Sequence, residues 1–204
     1  MIGFGMLTGK AIEEAIAKGE IEITPYDPSQ INPNSYNLKL HSQLKVYKHG
    51  QMVLPMKYVN ANNEESHNHI IQTPLRMDEE NPTEVIDIPE EGYILLPNTL
   101  YLGRTVEKTS SDYYIPMING RSSGGRLGIS IHVCAGFGDI GFSGTWTLEI
   151  TVVEPVLVKP NMELAQVCFF TPAGDASNLY RGRYYNQEEA TPSRFHLAKG
   201  DNGK

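Results

Sequence analysis

Cysteine is nearly absent from this chain: Cys134 and Cys168 are the only two in 204 residues, too few for a disulfide framework and without the close pairing of a zinc site. Both read as free thiols. Long apolar runs are missing too, since none approaches the ~18 residues of a membrane span. The N-terminal MIGFGMLTGKAIEE lacks the basic segment, long apolar stretch and small-residue cleavage site of a secretory signal. A soluble cytoplasmic protein without a membrane partner is the expectation. Positive charge is in deficit, 17 Lys and Arg against 24 Asp and Glu, for a formal net charge of −7. A polyanionic partner needs a basic face from which counterions are released, so nucleic acid is not expected as a ligand. A small anion stays compatible wherever arginine is locally concentrated.

Helical periodicity is scarce. One short helix is expected from about Thr8 to Lys18, with Thr8 as N-cap, Leu7 and Ile12 as a hydrophobic staple, and Gly19 as the stop. After it, IEITPYDPSQINPNSYNLKL alternates apolar residues between prolines. From residue 83 onward, β-branched and aromatic runs are punctuated by Pro, Gly and Asn, the pattern of a β-sandwich or barrel. Residues 50–83 are polar and weakly periodic, and read as an insertion or lid. From residue 171 to 204 the chain loses apolar periodicity but keeps Tyr180, Arg181, Arg183, Tyr184, Tyr185 and Gln187, so this tail is either disordered or closes over something. These shifts mark a lid and a tail on a single domain spanning 1–204.

Chemistry concentrates in residues 119–150, NGRSSGGRLGISIHVCAGFGDIGFSGTWTLEI, which hold eight of the 19 glycines. Such a stretch lets backbone N–H groups approach a small anion, although any one glycine is equally a tight turn. Arg121, Ser122, Ser123 and Arg126 offer two guanidinium groups and two hydroxyls to phosphate oxygens. In TWTLEITVV, strand alternation sets Trp146, Leu148, Ile150 and Val152 on one face and Thr147, Glu149 and Thr151 on the other. Glu149 is thus either an exposed edge carboxylate or a site residue. In GISIHVC the same rule sends Ile129, Ile131 and Val133 one way and Ser130, His132 and Cys134 the other. His132 reads equally as a structural or a ligand-facing histidine.

GRSSGGRLG, HVCAGFGDIGFSG, TLEI and ELAQVCF, in this order and spacing, resemble the dCTP deaminase family, and SYNLKL and RYYNQEEATPSR extend the resemblance to most of the chain. The resemblance implies a mainly β fold, a distorted barrel or jelly roll of the dUTPase-like type, and a homotrimer whose sites are built by neighbouring subunits. It implies hydrolytic deamination of dCTP to dUTP, with Glu149 as proton carrier and Ser122, Arg126 and the Ala135 carbonyl beside it and the attacking water. The zinc-deaminase signature is missing, so polar groups do the work that a metal does elsewhere. Substrate contacts carried over by similarity are Arg121, Ser123 and Gln166 on the triphosphate, with Mg²⁺ bridging its oxygens and no side chain ligating the metal. Asp139 would accept the 3′-hydroxyl, Phe142 would lie under the deoxyribose and exclude a 2′-hydroxyl, and Gln187 would meet the cytosine edge. His132, Val133, Tyr180 and Arg183 complete the set, Arg183 standing where a lysine is more usual.

Cys134 stands in place of a threonine, Asn37 of an aspartate and Gly138-Asp139-Ile140 of Ile-Asp-Pro. Feedback inhibition by dTTP, which the resemblance implies through the loop at His132, is therefore expected to be weakened. Three further readings compete. One is a bifunctional enzyme releasing dUMP and pyrophosphate, which Ala135-Gly136-Phe137 resembles as well. The others are a dUTPase, disfavoured by the glutamate at position 149, and a non-catalytic nucleotide-binding trimer.

Overall fold

A computed structural model describes residues 5–54 and 69–197. The helix α1 spans Gly9–Ala17, with the Ala11 N–H donating to Thr8 Oγ1 at 3.3 Å and Gly19 turning the chain away in the left-handed region at φ +72. Its inner face buries Ile12 and Ala15, and Leu7 packs against the same core, as the staple requires. Burying a side chain such as Ile12 contributes about 1.5–3 kcal/mol.

Fourteen strands follow among the described residues. The first seven are β1 (Glu22–Thr24), β2 (Ile31–Asn32), β3 (Ser35–Lys39), β4 (Gln43–Tyr47), β5 (Gln51–Leu54), β6 (His69–Gln72) and β7 (Thr83–Asp87). The rest are β8 (Tyr93–Leu95), β9 (Tyr101–Ser110), β10 (Ile115–Gly120), β11 (Ile129–Ser130), β12 (Ser143–Val152), β13 (Val156–Val158) and β14 (Glu163–Phe170). Between β10 and β11 a five-residue helix, α2, covers Ser122–Arg126. The expected mainly β fold with one N-terminal helix is present. Its strands form two principal sheets, one running β11-β12-β9-β4-β7 with β1 also on β9, the other β10-β14-β3-β2. Among the described residues, all the pairings between these strands are antiparallel.

Turn chemistry explains several of the joins. Pro97-Asn98 and Pro160-Asn161 each place the asparagine at positive φ, 62 and 65, where proline presets the preceding corner. Both sheets feed one core, with Leu38, Val167 and Phe169 from one and Leu44, Leu148 and Ile150 from the other. The segment read as an insertion begins and ends as a ribbon, Gln51 pairing Gln72 and Leu54 pairing His69; residues 55–68 lie outside the described residues.

Strand β12 shows the expected alternation: Trp146, Leu148, Ile150 and Val152 are buried, while Thr147, Glu149 and Thr151 face outward. The expectation for GISIHVC fails after Ile131. Strand β11 stops at Ser130, and Val133 is 64% exposed instead of sharing the core face with Ile131. Past Ser130 the backbone leaves the ladder: Ser130 Oγ donates to the His132 carbonyl, and the Val133 N–H turns to a side chain on β12.

Candidate active site

Glu149 lines a cleft of about 430 Å³. Its Oε2 accepts the Val133 N–H at 2.8 Å, and its own N–H donates to the Ile131 carbonyl at 2.9 Å. The carboxylate is thus oriented by a backbone donor through a charge-assisted hydrogen bond. Ala135, Asp139, Phe142, Tyr180 and Gln187 line the same cleft, so six of the residues singled out from the sequence converge there.

Part of the cleft lining is aromatic. Phe142 and Trp146 lie with ring centroids 4.7 Å apart at 43°, and Phe142 is 6.3 Å from Tyr180. Trp146 is fixed by its Nε1–H, which donates to Thr109 Oγ1 at 2.9 Å. Gly138 makes room for it: a Cβ there would lie 2.3 Å from Trp146 Cη2 and 2.8 Å from Pro116 Cγ. Trp146 was read from the sequence only as a core residue, yet it also lines the cleft.

The tail is folded down on its own chain. Gly144, at φ +145, forms a parallel bridge with Gln187, and a Cβ on it would lie 2.7 Å from the Gln187 carbonyl oxygen. Thr145 N–H donates to that carbonyl at 2.9 Å, Asn186 N–H to Ser143 O at 2.7 Å, and Thr191 N–H to Thr147 Oγ1 at 3.0 Å. The Gln187 amide is oriented by its Nε2, which donates to Thr145 O at 2.8 Å. Its Oε1 is then buried with no hydrogen-bond partner among the described residues. A buried acceptor left open is costly unless a donor arrives. Arg183 lies apart from the cleft, with Nη2 on the Leu197 carbonyl at 2.6 Å and its guanidinium over Phe195.

The arginine and serine groups sit elsewhere. Arg121, Ser122 and His132 line a separate cleft of about 360 Å³, and no residue lines both. Ser123 and Arg126 are exposed on or at the end of α2, and among the described residues Arg126 forms no ion pair. Sequence proximity suggested one continuous cradle with Glu149; within one chain the 131–135 loop lies between the two groups, His132 on one side and Ala135 on the other. Helix α2 was not anticipated, because Ser-Ser-Gly-Gly carries little helical propensity.

Strand β3 supplies a supporting layer to this second cleft. Arg121 Nη1 pairs with Glu163 Oε2, which also accepts from Asn37 Nδ2 at 2.9 Å. Gln166 is held from both sides, its Oε1 accepting from Ser35 Oγ at 2.9 Å and its Nε2 donating to Gly120 O at 3.1 Å. Glu163 was missed in the sequence; its only signal was a carboxylate three residues before Gln166. Both cysteines are free, Cys134 exposed and Cys168 buried where desolvation raises its thiol pKa. Among the described residues no helix is long and apolar enough to cross a membrane.

A family model described as dCTP deaminase-like matches residues 6–171. Relatives named "dCTP deaminase, dUMP-forming" include one from Clostridium beijerinckii, 47% identical over 188 residues that cover 92% of this chain and 95% of the relative. Another, from Clostridium acetobutylicum, is 45% identical with the same coverage. A third, from Leptospira biflexa, is 41% identical over 92% of this chain and 94% of its own. Among solved structures, the 2′-deoxycytidine 5′-triphosphate deaminase of Agrobacterium tumefaciens matches with a TM-score of 0.55 at 23% identity, a likeness of fold. It covers 83% of this chain, which spans 49% of that one.

Proposed function

Since the chain belongs to the dCTP deaminase-like family, we propose that it deaminates dCTP and also cleaves the triphosphate, releasing ammonia, pyrophosphate and dUMP. The product in the relatives' names replaces the first sequence-based reading, in which dUTP was the end product, with the bifunctional one. The observation that carries the proposal is the convergence of Glu149, Asp139 and Gln187 on one aromatic-walled cleft.

Deamination proceeds by attack of water at C4 of the cytosine. Glu149 takes a proton from that water and delivers it to N3, then passes the second water proton to the amino group, which leaves as ammonia. Because Val133 occupies Oε2, Oε1 is the oxygen that shuttles these protons. The unpaired Oε1 of Gln187 accepts an N–H of the 4-amino group, a donor that uracil lacks. Phe142 lies beneath the sugar and rejects a 2′-hydroxyl by contact. Asp139 receives the 3′-hydroxyl, and its second oxygen orients the water that attacks the α-phosphorus and expels pyrophosphate.

Arg121, Ser123 and Gln166 are hydrogen-bond donors suited to phosphate oxygens, with Ser122 and Arg126 beside them. Their donor chemistry fits a triphosphate that brings its own Mg²⁺, whose contribution is to neutralise phosphate charge. The separation of this donor group from the Glu149 cleft supports a homotrimer in which one copy supplies the carboxylates and its neighbour the arginines and serines. Feedback by dTTP would act on the His132 loop, where the Nδ1 atom of His132 is buried without a partner among the described residues.

Incubation with dCTP and Mg²⁺, followed by assay of ammonia, pyrophosphate and nucleotides, tests the reading. Equal amounts of ammonia, pyrophosphate and dUMP are expected. Accumulation of dUTP restores the simple deaminase, cleavage of added dUTP alone indicates a dUTPase, and binding without turnover indicates a nucleotide-binding trimer.

A further inference from the structure

The sheet face that carries Glu149 also carries two cations beneath the tail. Strand register sets Glu149, Leu102 and Lys45 side by side across β12, β9 and β4, and Thr147 beside Arg104. Residues directly opposite on paired strands share a face. The Lys45 side chain is only 19% exposed, and its Nζ meets Glu189 Oε2 at 2.9 Å. Glu189 titrates below the usual carboxylate range, first through its hydrogen bond with Lys45 and, to a lesser degree, through the charge of Arg104. Arg104 is half-buried, and desolvation lowers its pKa against the opposing influence of Glu189 and Glu188.

The tail here is a thin wall. On one side is the Glu149 cleft, and on the other a cleft of about 610 Å³ lined by Lys45, Glu80, Glu188, Glu189 and Arg194. Gln187, Thr191 and Ser193 line both. Apart from Lys45–Glu189, residues 186–193 are joined to the sheet, among the described residues, by neutral hydrogen bonds. Those bonds carry no net charge, so salt screens them little. The Lys45 pair differs in being charged on both sides, with the lysine side chain mostly covered.

We propose that Lys45, with Arg104 behind it, is a positioning residue: by pairing with Glu189 next to Glu188, it latches the tail to the sheet and so fixes Gln187 over the Glu149 cleft. The latch rests on the proposed function only in what it positions; the closure itself is a property of the free chain. It makes closure sensitive to salt, because ionic strength screens the pair while leaving the neutral bonds intact.

The test uses the full chain carrying Lys45→Met, which keeps the apolar stem, Glu189→Gln, which removes only a charge at an exposed position, and the exchange Lys45→Glu with Glu189→Lys. Hydrogen exchange of the amides at 185–193 is followed without nucleotide at low and high salt, and KM and kcat for dCTP are measured beside it. Exchange in either single variant is expected to quicken about five-fold at low salt and to lose its salt dependence. KM should rise by a similar factor with little change in kcat, and the charge exchange should restore both readings. Unaltered tail exchange in both single variants overturns the latch. If the unmodified protein releases no ammonia from dCTP, the functional reading falls, while the exchange data still decide the latch.

Discussion

Glu149 Oε2 accepts the backbone N–H of Val133 at 2.8 Å, so the loop dividing the two clefts also aims the carboxylate on β12. Val133→Pro removes that donor at a side chain 64% exposed, where little packing is lost. Ammonia release is expected to fall about 10- to 100-fold, the range for losing a hydrogen bond to a charged group. Val133→Ala keeps the N–H and should retain most of the activity. Equal rates in the two variants would detach the loop from the chemistry.

The two carboxylates of the cleft should separate two reactions. Glu149→Gln preserves size but carries no proton, and is expected to lower ammonia release by about 10²- to 10⁴-fold while dCTP still binds. Asp139→Asn should continue to release ammonia and accumulate dUTP, with pyrophosphate suppressed. Pyrophosphate release at the normal rate from the Asp139 variant would remove that residue from the second step.

Two inactive chains should rescue each other if sites are shared between copies. When Glu149→Gln and Arg121→Ala chains are unfolded together and refolded as mixed trimers, roughly one quarter of the sites combine an intact half from each. Activity should recover accordingly. A mixed trimer, confirmed by sedimentation, that stays silent would place each complete site within one chain.

Trp146 is the sole tryptophan of the chain and lines the Glu149 cleft. Its emission should therefore change saturably as dCTP is added. CTP should produce no such change over the same concentrations if Phe142, which is packed against that indole, lies under the sugar as proposed. Phe142→Leu is expected to let CTP compete. An identical response to both nucleotides in the unmodified protein would exclude Phe142 as the source of sugar selectivity.

Local rules carried far in this chain. Thr8 and Gly19 bounded α1 because capping and positive φ are properties of a few adjacent atoms. The two faces of β12 followed from alternation around Trp146 and Leu148. Val133 escaped the same rule because the strand ended three residues earlier than its apolar pattern, and only the side chain of Glu149 explains where its N–H went. Which residues share a cleft was less legible. Arg121 and Glu149 belong to one continuous run, but the turn at α2 and the loop after β11 send them to different surfaces. Glu163 and Lys45 carry little local signal; their partners, Arg121 and Glu189, come from distant parts of the chain.

The indole of Trp146 fills the space that a side chain at position 138 would occupy. Neither position can drift alone: enlarging 138 meets the ring, and trimming 146 leaves a hollow beside Phe142. Mutational paths that reshape this pocket must therefore change the two together, and a library randomised at 138 alone should return glycine.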